Sequence, residues 1–300
     1  MTWLIISIFA YFLNALAGLI DKILLKKSIP EPVVYTFYVG VLSLIALVLI
    51  PWGFQYPGLN LLLTSLLAGF IFIFALWLLY TLLKKEEVSR IIPLVGGFSS
   101  VFVFLSASLF SLERLSSRQI LAFIIILIGG FLISLKGKEL KKILSKKIFF
   151  LGLLDSSLFA LFYLLSKYVY LHHPFISSFV WLRIGGGLGV LILFLIPKNR
   201  EKILAALKKP ATRINKLFLF GQGCGGLSAF FVNYAIAIGS VSLVNALQGS
   251  QYGFLFLMAV IFSKKFPLLL EEELTLKIVF QKVVSIILII LGIFLLFLNI

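Results

Sequence analysis

The sequence predicts an all-α polytopic membrane protein, with ten transmembrane helices arranged as two inverted five-helix repeats. Three observations predict it: long apolar runs, basic residues confined to alternate intervening loops, and a faint internal repeat. Of the 300 residues, 61% are hydrophobic and 13% charged, which is far more apolar than a water-soluble domain. Roughly 20 apolar residues cross a hydrocarbon core, and about ten segments reach that length.

The candidate spans cover 3–25, 33–51, 59–83, 91–111, 119–135, 148–170, 177–196, 217–238, 243–262 and 283–299. The first lacks a basic leader and a small-residue cleavage site, so it reads as a retained helix and not a signal peptide. Charge then alternates between loops. The first holds Lys26 and Lys27, the third Lys84, Lys85 and Arg90, and the fifth Lys136, Lys138, Lys141, Lys142, Lys146 and Lys147. The seventh carries Lys198, Arg200, Lys202, Lys208, Lys209, Arg213 and Lys216, and the ninth Lys264, Lys265, Lys277 and Lys282. Among the even loops only the fourth is basic, with Arg114 and Arg118. Because cationic loops stay inside, the odd loops are expected in the cytoplasm and both termini outside, in a prokaryotic cytoplasmic membrane. The net charge of +16 reflects this bias and the anionic inner leaflet, so nucleic acid is not an expected partner. The lone Cys224 allows no internal disulfide and reads as packing.

Sliding the sequence by 145 residues pairs Leu13 with Leu158, Ala15 with Ala160, Leu19 with Leu164 and Lys22 with Lys167. One more residue of shift pairs Gly40 with Gly186, and Leu49, Ile50 and Pro51 with Leu195, Ile196 and Pro197. The repeats therefore occupy 1–140 and 141–300. Five spans each is an odd number, so the second copy enters the membrane from the opposite side. The charges agree: the lysines after the first span have no counterpart in 171–175, and the uncharged 52–58 loop has a strongly basic counterpart after Pro197.

The stretch ALWLLYTLLKKEEVSRIIPLVGGFSSVFVFLSASLFSLERLSSRQILAFIIILIGGFLISL, residues 75–135, resembles the third-to-fifth helix region of EamA-type members of the drug/metabolite transporter superfamily. Tyr80, Val88, Ser89, Pro93, the Glu113-Arg114-Leu115 turn and Gly129-Gly130 carry the likeness, echoed by Tyr234, Val241, Ser242, Gly249, Glu272 and Gly292. The resemblance implies a ten-span exporter of small organic metabolites. Two features depart from the family pattern: both termini outside, and a long ninth loop (263–282) with Glu271, Glu272 and Glu273.

Polar side chains within spans are costly and mark candidate sites. Asp155 lies about 12 Å into the sixth span, where a carboxyl is either protonated or paired, and is the candidate proton-coupling group. Ser156, Ser157 or a loop lysine offers the alternative of simple solvation. Arg183 can clamp a carboxylate or phosphate with its guanidinium fork, or extend outward to the interface. In the ninth span Asn245, Gln248 and Tyr252 recur at i, i+3 and i+7, with Gln251 on the flank. They line a cavity or bond helices together. Asn14, Trp77, Tyr80, Asn233 and Tyr234 complete the candidate substrate-binding set, the aromatic members being ordinary interface anchors otherwise. Lys22 and Lys167 read as snorkelling side chains, Asp21 as the ion partner of Lys22 or a hydrated helix end, and Glu113 with Arg114 as a helix-end pair. Gly185, Gly186, Gly187 and Gly189, and Gly221, Gly223, Gly225 and Gly226, read as close helix contacts.

No nucleotide-binding Gly-Lys-Ser/Thr follows the glycines, and the adjacent His172 and His173 lack metal-ligand spacing, so no cofactor or metal is expected. The reading is a secondary transporter of small molecules such as amino acids or amphipathic metabolites, driven by a substrate gradient or by coupled protons. The alternative is an integral-membrane enzyme acting on lipid or isoprenoid substrates, which needs an acid/base or metal cluster at a membrane surface. The topology is testable with single cysteines at Thr2, His173 and Lys208 in a Cys224→Ser background. An impermeant maleimide on intact cells is expected to label the first two and spare the third. Labelling of the third alone inverts the orientation, and labelling of all three breaks the topology.

Overall fold

The computed structural model describes residues 2–27, 31–86, 88–134, 145–208, 216–262 and 276–298. Within them every regular element is helical: α1 (Thr2–Lys27), α2 (Pro32–Ser43) running into a 3-10 helix (Leu44–Trp52), α3 (Leu59–Lys85), α4 (Val88–Leu109), α5 (Ser117–Ser134), α6 (Lys146–His172), α7 (Phe175–Leu195), α8 (Pro197–Leu207), α9 (Lys216–Ile238), α10 (Val241–Ala246), α11 (Gln248–Phe262) and α12 (Leu276–Phe297). Among the described residues, seven helices are long and apolar enough to cross a membrane. The protein is an all-α membrane protein. Lys136, Lys138, Lys141, Lys142, Lys209, Arg213, Lys264, Lys265 and the run Glu271 to Glu273 lie outside the described residues, as do the side chains of Lys26, Lys27, Ser89, Arg90 and Lys277.

Local chemistry sets the helix ends. Pro32 and Pro197 open α2 and α8, where a missing N–H costs nothing. Ser116 and Gln119 cap α5 reciprocally, Gln119 N donating to Ser116 Oγ and Ser116 N to Gln119 Oε1. Gly53, at φ 109°, ends the 3-10 stretch in the left-handed region that a side chain would resist. Within the helices, Ser65, Thr81, Ser156 and Ser166 return their hydroxyls to the carbonyl four residues back, so they carry no unmet donor.

Helices pair through small residues. The α3–α7 crossing brings backbones together at Gly69 and Gly185: a Cβ on Gly69 would lie 1.8 Å from Leu182 O, and one on Gly185 2.3 Å from Leu66 O. On α5 and α12 the same holds for Gly129, 2.9 Å from Ser285 O, and Gly292, 3.0 Å from Ala122 O. Expectation and structure part at α9. Gly221 presses on Ile20, but Gly223 and Gly226 face open space and bring no helix closer.

Lys22 and Lys167 do not snorkel. Both are 7% exposed. Lys22 Nζ donates to Leu83 O at 2.6 Å and Glu86 O at 2.7 Å, while Lys167 Nζ donates to Ile236 O at 2.9 Å and Gly239 O at 2.7 Å. Each lysine thus takes up carbonyls, three residues apart, that the end of α3 or α9 leaves without an intrahelical donor. Asp21 does not pair with Lys22 either. Its carboxylate accepts from the Tyr35 hydroxyl and, at 3.4 Å, from Gln222 Nε2.

Three further expectations are corrected. The basic run after Pro197 contains a helix, α8, whose Ile203 is sealed against Val33 and Val34 of α2. Glu113 turns away from Arg114 to accept from Ser242 N at 3.1 Å. The final helix begins at Leu276, so Lys282 lies on α12 and not in a loop, 3% exposed, with its Nζ 4.3 Å from the Phe256 ring centroid.

Contacts sort the connections into two ends. At one end Glu31 pairs with Lys202 at 2.7 Å and Lys84 at 3.5 Å, and these cations hold its carboxyl below the usual range. At the other, Ser177 Oγ donates to Gln55 O at 2.8 Å, and Glu113 meets Ser242.

Lys22→Met and Lys167→Met each leave two helix-end carbonyls unmet, and each is expected to destabilise the detergent-purified protein by about 1 to 3 kcal/mol in thermal melting. Gly223→Ala is the control and is expected to leave melting unchanged. Unchanged melting in both lysine variants would return those side chains to the interface.

Candidate functional site

Midway along the helices the bundle turns polar. The predicted ninth span is not one helix: α10 ends at Ala246, Leu247 forms a turn, and α11 starts at Gln248. Carbonyls released near the turn find side chains. Tyr11 of α1 donates its hydroxyl to Val244 O at 2.9 Å, and Ser100 of α4 donates to Asn245 O at 2.9 Å. The break also splits the expected stripe. Asn245, on α10, donates its amide to Val241 O while its Oδ1 is buried without a partner among the described residues. On α11, Gln248 and Tyr252 pack over Gly96, where a Cβ would come within 2.6 Å and 2.3 Å of them. Gln251 accepts from Asn14 Nδ2 at 3.2 Å, joining α11 to α1. A narrow cleft with room for about one water runs between α4, α5, α10 and α11, lined by Gly97, Ser100, Gly130, Gly249 and Tyr252.

A second cluster forms around α6 and α7. Arg183, ninth residue of α7, is 6% exposed. Its Cζ lies 4.6 Å from the Phe179 ring centroid and 5.2 Å from that of Phe72. Among the described residues it makes neither a hydrogen bond nor an ion pair. Tyr163 and Tyr170 of α6 lie within electrostatic reach, as do Tyr11 and Tyr252 of Tyr163. The Tyr170 hydroxyl is taken by Asn233 Oδ1 at 2.9 Å. That of Tyr163 has no hydrogen-bond partner among the described residues. Asp155, two turns before Tyr163 on α6, is 0% exposed, and neither carboxyl oxygen meets a donor among the described residues.

Thus Asn14, Asn233, Gln251, Tyr252 and Arg183 face the interior around Tyr11 and Tyr163, whereas three expected members lie towards the ends. Trp77 packs against α2 and α8 beside Val33 and Ile203, and Tyr80 joins Tyr35 edge-to-face at 4.8 Å beside Asp21. Tyr234 meets Phe175, at the start of α7, at 5.1 Å. Tyr11, Tyr163 and Gln222 escaped sequence reading. The available signal was a tyrosine or amide in mid-span, one turn from a candidate already chosen: Tyr11 precedes Asn14 by three residues.

No group of three or more His, Cys, Asp or Glu side chains is arranged to hold a metal among the described residues. The interior presents amide, hydroxyl and guanidinium donors, with the Asp155 carboxyl two turns away on α6. No family model matches the chain, and no curated protein matches it. A solved chain described as "Crystal structure of protein" superimposes with a TM-score of 0.65 at 13% identity, covering 98% of this chain and 96% of that one, a likeness of fold.

Proposed function

We propose that this protein is a secondary transporter of small organic metabolites, amino-acid-like or amphipathic, in which two inverted five-span repeats, 1–140 and 141–300, rock about the polar interior. Three predicted spans beyond the seven long apolar helices are supplied by α5, by α9, and by α10 with α11. The matched roles of Lys22 and Lys167 support the inversion. The first clasps the end of α3, at the face carrying Glu31 and Lys84; the second clasps the end of α9, at the face where Glu113 meets Ser242. Equivalent residues at opposite faces are what inverted repeats require.

The observation that carries transport is a pair of ionisable side chains inside the bundle with no hydrogen-bond or ion-pair partner among the described residues. Asp155 and Arg183 sit midway along adjacent helices, and such groups face a bundle interior only where they serve a ligand or ion path. A span broken at mid-depth supports the same reading, because irregular backbone there lines a cavity or is met by side chains. The likeness to EamA-type proteins adds an outward direction, and loop charge puts the odd loops in the cytoplasm.

A thermal-shift screen of amino acids, nucleosides and organic acids identifies a ligand, which is then followed in proteoliposomes. Asp155→Asn is expected to retain exchange of that ligand down its gradient and to lose accumulation driven by a pH gradient. Undiminished pH-driven accumulation removes Asp155 from coupling; absence of exchange in the parent protein contradicts transport itself.

A further inference from the structure

Five guanidinium N–H donors at mid-depth need acceptors, and Arg183 finds none among the described residues. The rings of Phe72 and Phe179 hold the cation by attraction to their faces but present no oxygen. The side chain as a whole is 6% exposed, so these donors open on a confined space and not on a broad water face. A hydroxyl of matching need lies nearby: the Tyr163 ring sits 5.1 Å from that of Phe162, which sits 4.7 Å from the Phe72 ring beside Arg183, and the Tyr163 hydroxyl has no acceptor among the described residues. Two open donor groups and aromatic walls make a receptor for an anion on an apolar body.

Charge selects the anion. Among the described residues the groups within reach of Arg183 are Tyr163, Tyr170 and the two rings, and the Tyr170 hydroxyl is already engaged with Asn233. One positive charge balances one negative charge. A phosphate dianion would bring a second negative charge into the bundle with no second cation to meet it, whereas a carboxylate takes two parallel N–H···O bonds from the guanidinium fork. Asp155 offers no grip on an α-amino group of the same ligand, being eight residues, or about 12 Å, along α6 from Tyr163.

We propose that Arg183, with the Tyr163 hydroxyl, forms the binding site for a monocarboxylate whose apolar body lies against Phe72 and Phe179, and that a ligand amino group adds nothing to recognition. This inference rests on the transporter reading and names its substrate class. Binding to the purified protein in nanodiscs is measured with phenylacetate, phenylalanine, phenylacetamide and phenyl phosphate. Phenylacetate and phenylalanine are expected to bind alike, within about threefold. Phenylacetamide and phenyl phosphate should be weaker by about tenfold or more, the scale for losing hydrogen bonds to a charged group. Arg183→Gln is expected to cost phenylacetate at least about tenfold and to leave phenylacetamide unchanged, with Arg183→Lys intermediate. Should Arg183→Gln fail to fold, Tyr163→Phe is read instead, with a loss of about threefold to tenfold for phenylacetate alone. Equal binding of acid and amide, or loss that is uniform across all four probes, overturns the site. If the acid fails to bind but proteoliposomes still exchange another solute, the substrate class falls and transport stands. If no solute exchanges, both fall.

Discussion

A chain within hydrocarbon must satisfy its own backbone, and in this protein the helix ends and breaks are where that constraint bites. Four buried side chains answer it. Lys22 and Lys167 take the last carbonyls of α3 and α9, while Tyr11 and Ser100 take those beside the break between α10 and α11. Each bond joins two helices, so satisfying the backbone also fixes the packing. α1 is thereby tied to α3 and to α10, and α6 to α9. Glycine contacts at Gly69, Gly185, Gly129 and Gly292 complete the frame without adding polar groups.

Beside that frame, two ionisable side chains stand apart. Among the described residues, Asp155 has two carboxyl oxygens without donors, and Arg183 has a cation clasped only by rings. A structural role would give each an oppositely charged or hydrogen-bonding neighbour, as Asp21 has in Tyr35 and Gln222. The contrast between Asp21 and Asp155 separates met from unmet carboxyls more sharply than burial does.

Fold class was legible because hydropathy and loop charge both follow from the membrane as solvent. The spans expected from 33 and 119 begin within two residues of those positions, α2 at Pro32 and α5 at Ser117. The break at Leu247 was not legible: no proline marks it, and the bonds that replace its helical ones come from Tyr11 and Ser100, far away in sequence. The basic charge of 197–216 masked α8, whose burial depends on one residue, Ile203. Snorkelling was a fair reading for a lysine near a helix end, and what defeats it is the nearby carboxyl end of another helix. Of the candidate site, the amides and Arg183 were visible as polar residues in apolar spans. Their neighbours Tyr11 and Tyr163 were not, because a tyrosine in such a composition reads as packing.

Thiol accessibility in a Cys224→Ser background tests most directly whether satisfied groups hold the frame and unsatisfied ones line a path. Positions 163 and 179 border Arg183, whereas Leu24 and Val169 are sealed beside the two lysine clasps. With a water-soluble thiol reagent on the protein in nanodiscs, Tyr163→Cys and Phe179→Cys are predicted to react and to be protected by a bound ligand, while Leu24→Cys and Val169→Cys stay inert. Equal reactivity at all four positions, or inertness at both 163 and 179, would contradict the account.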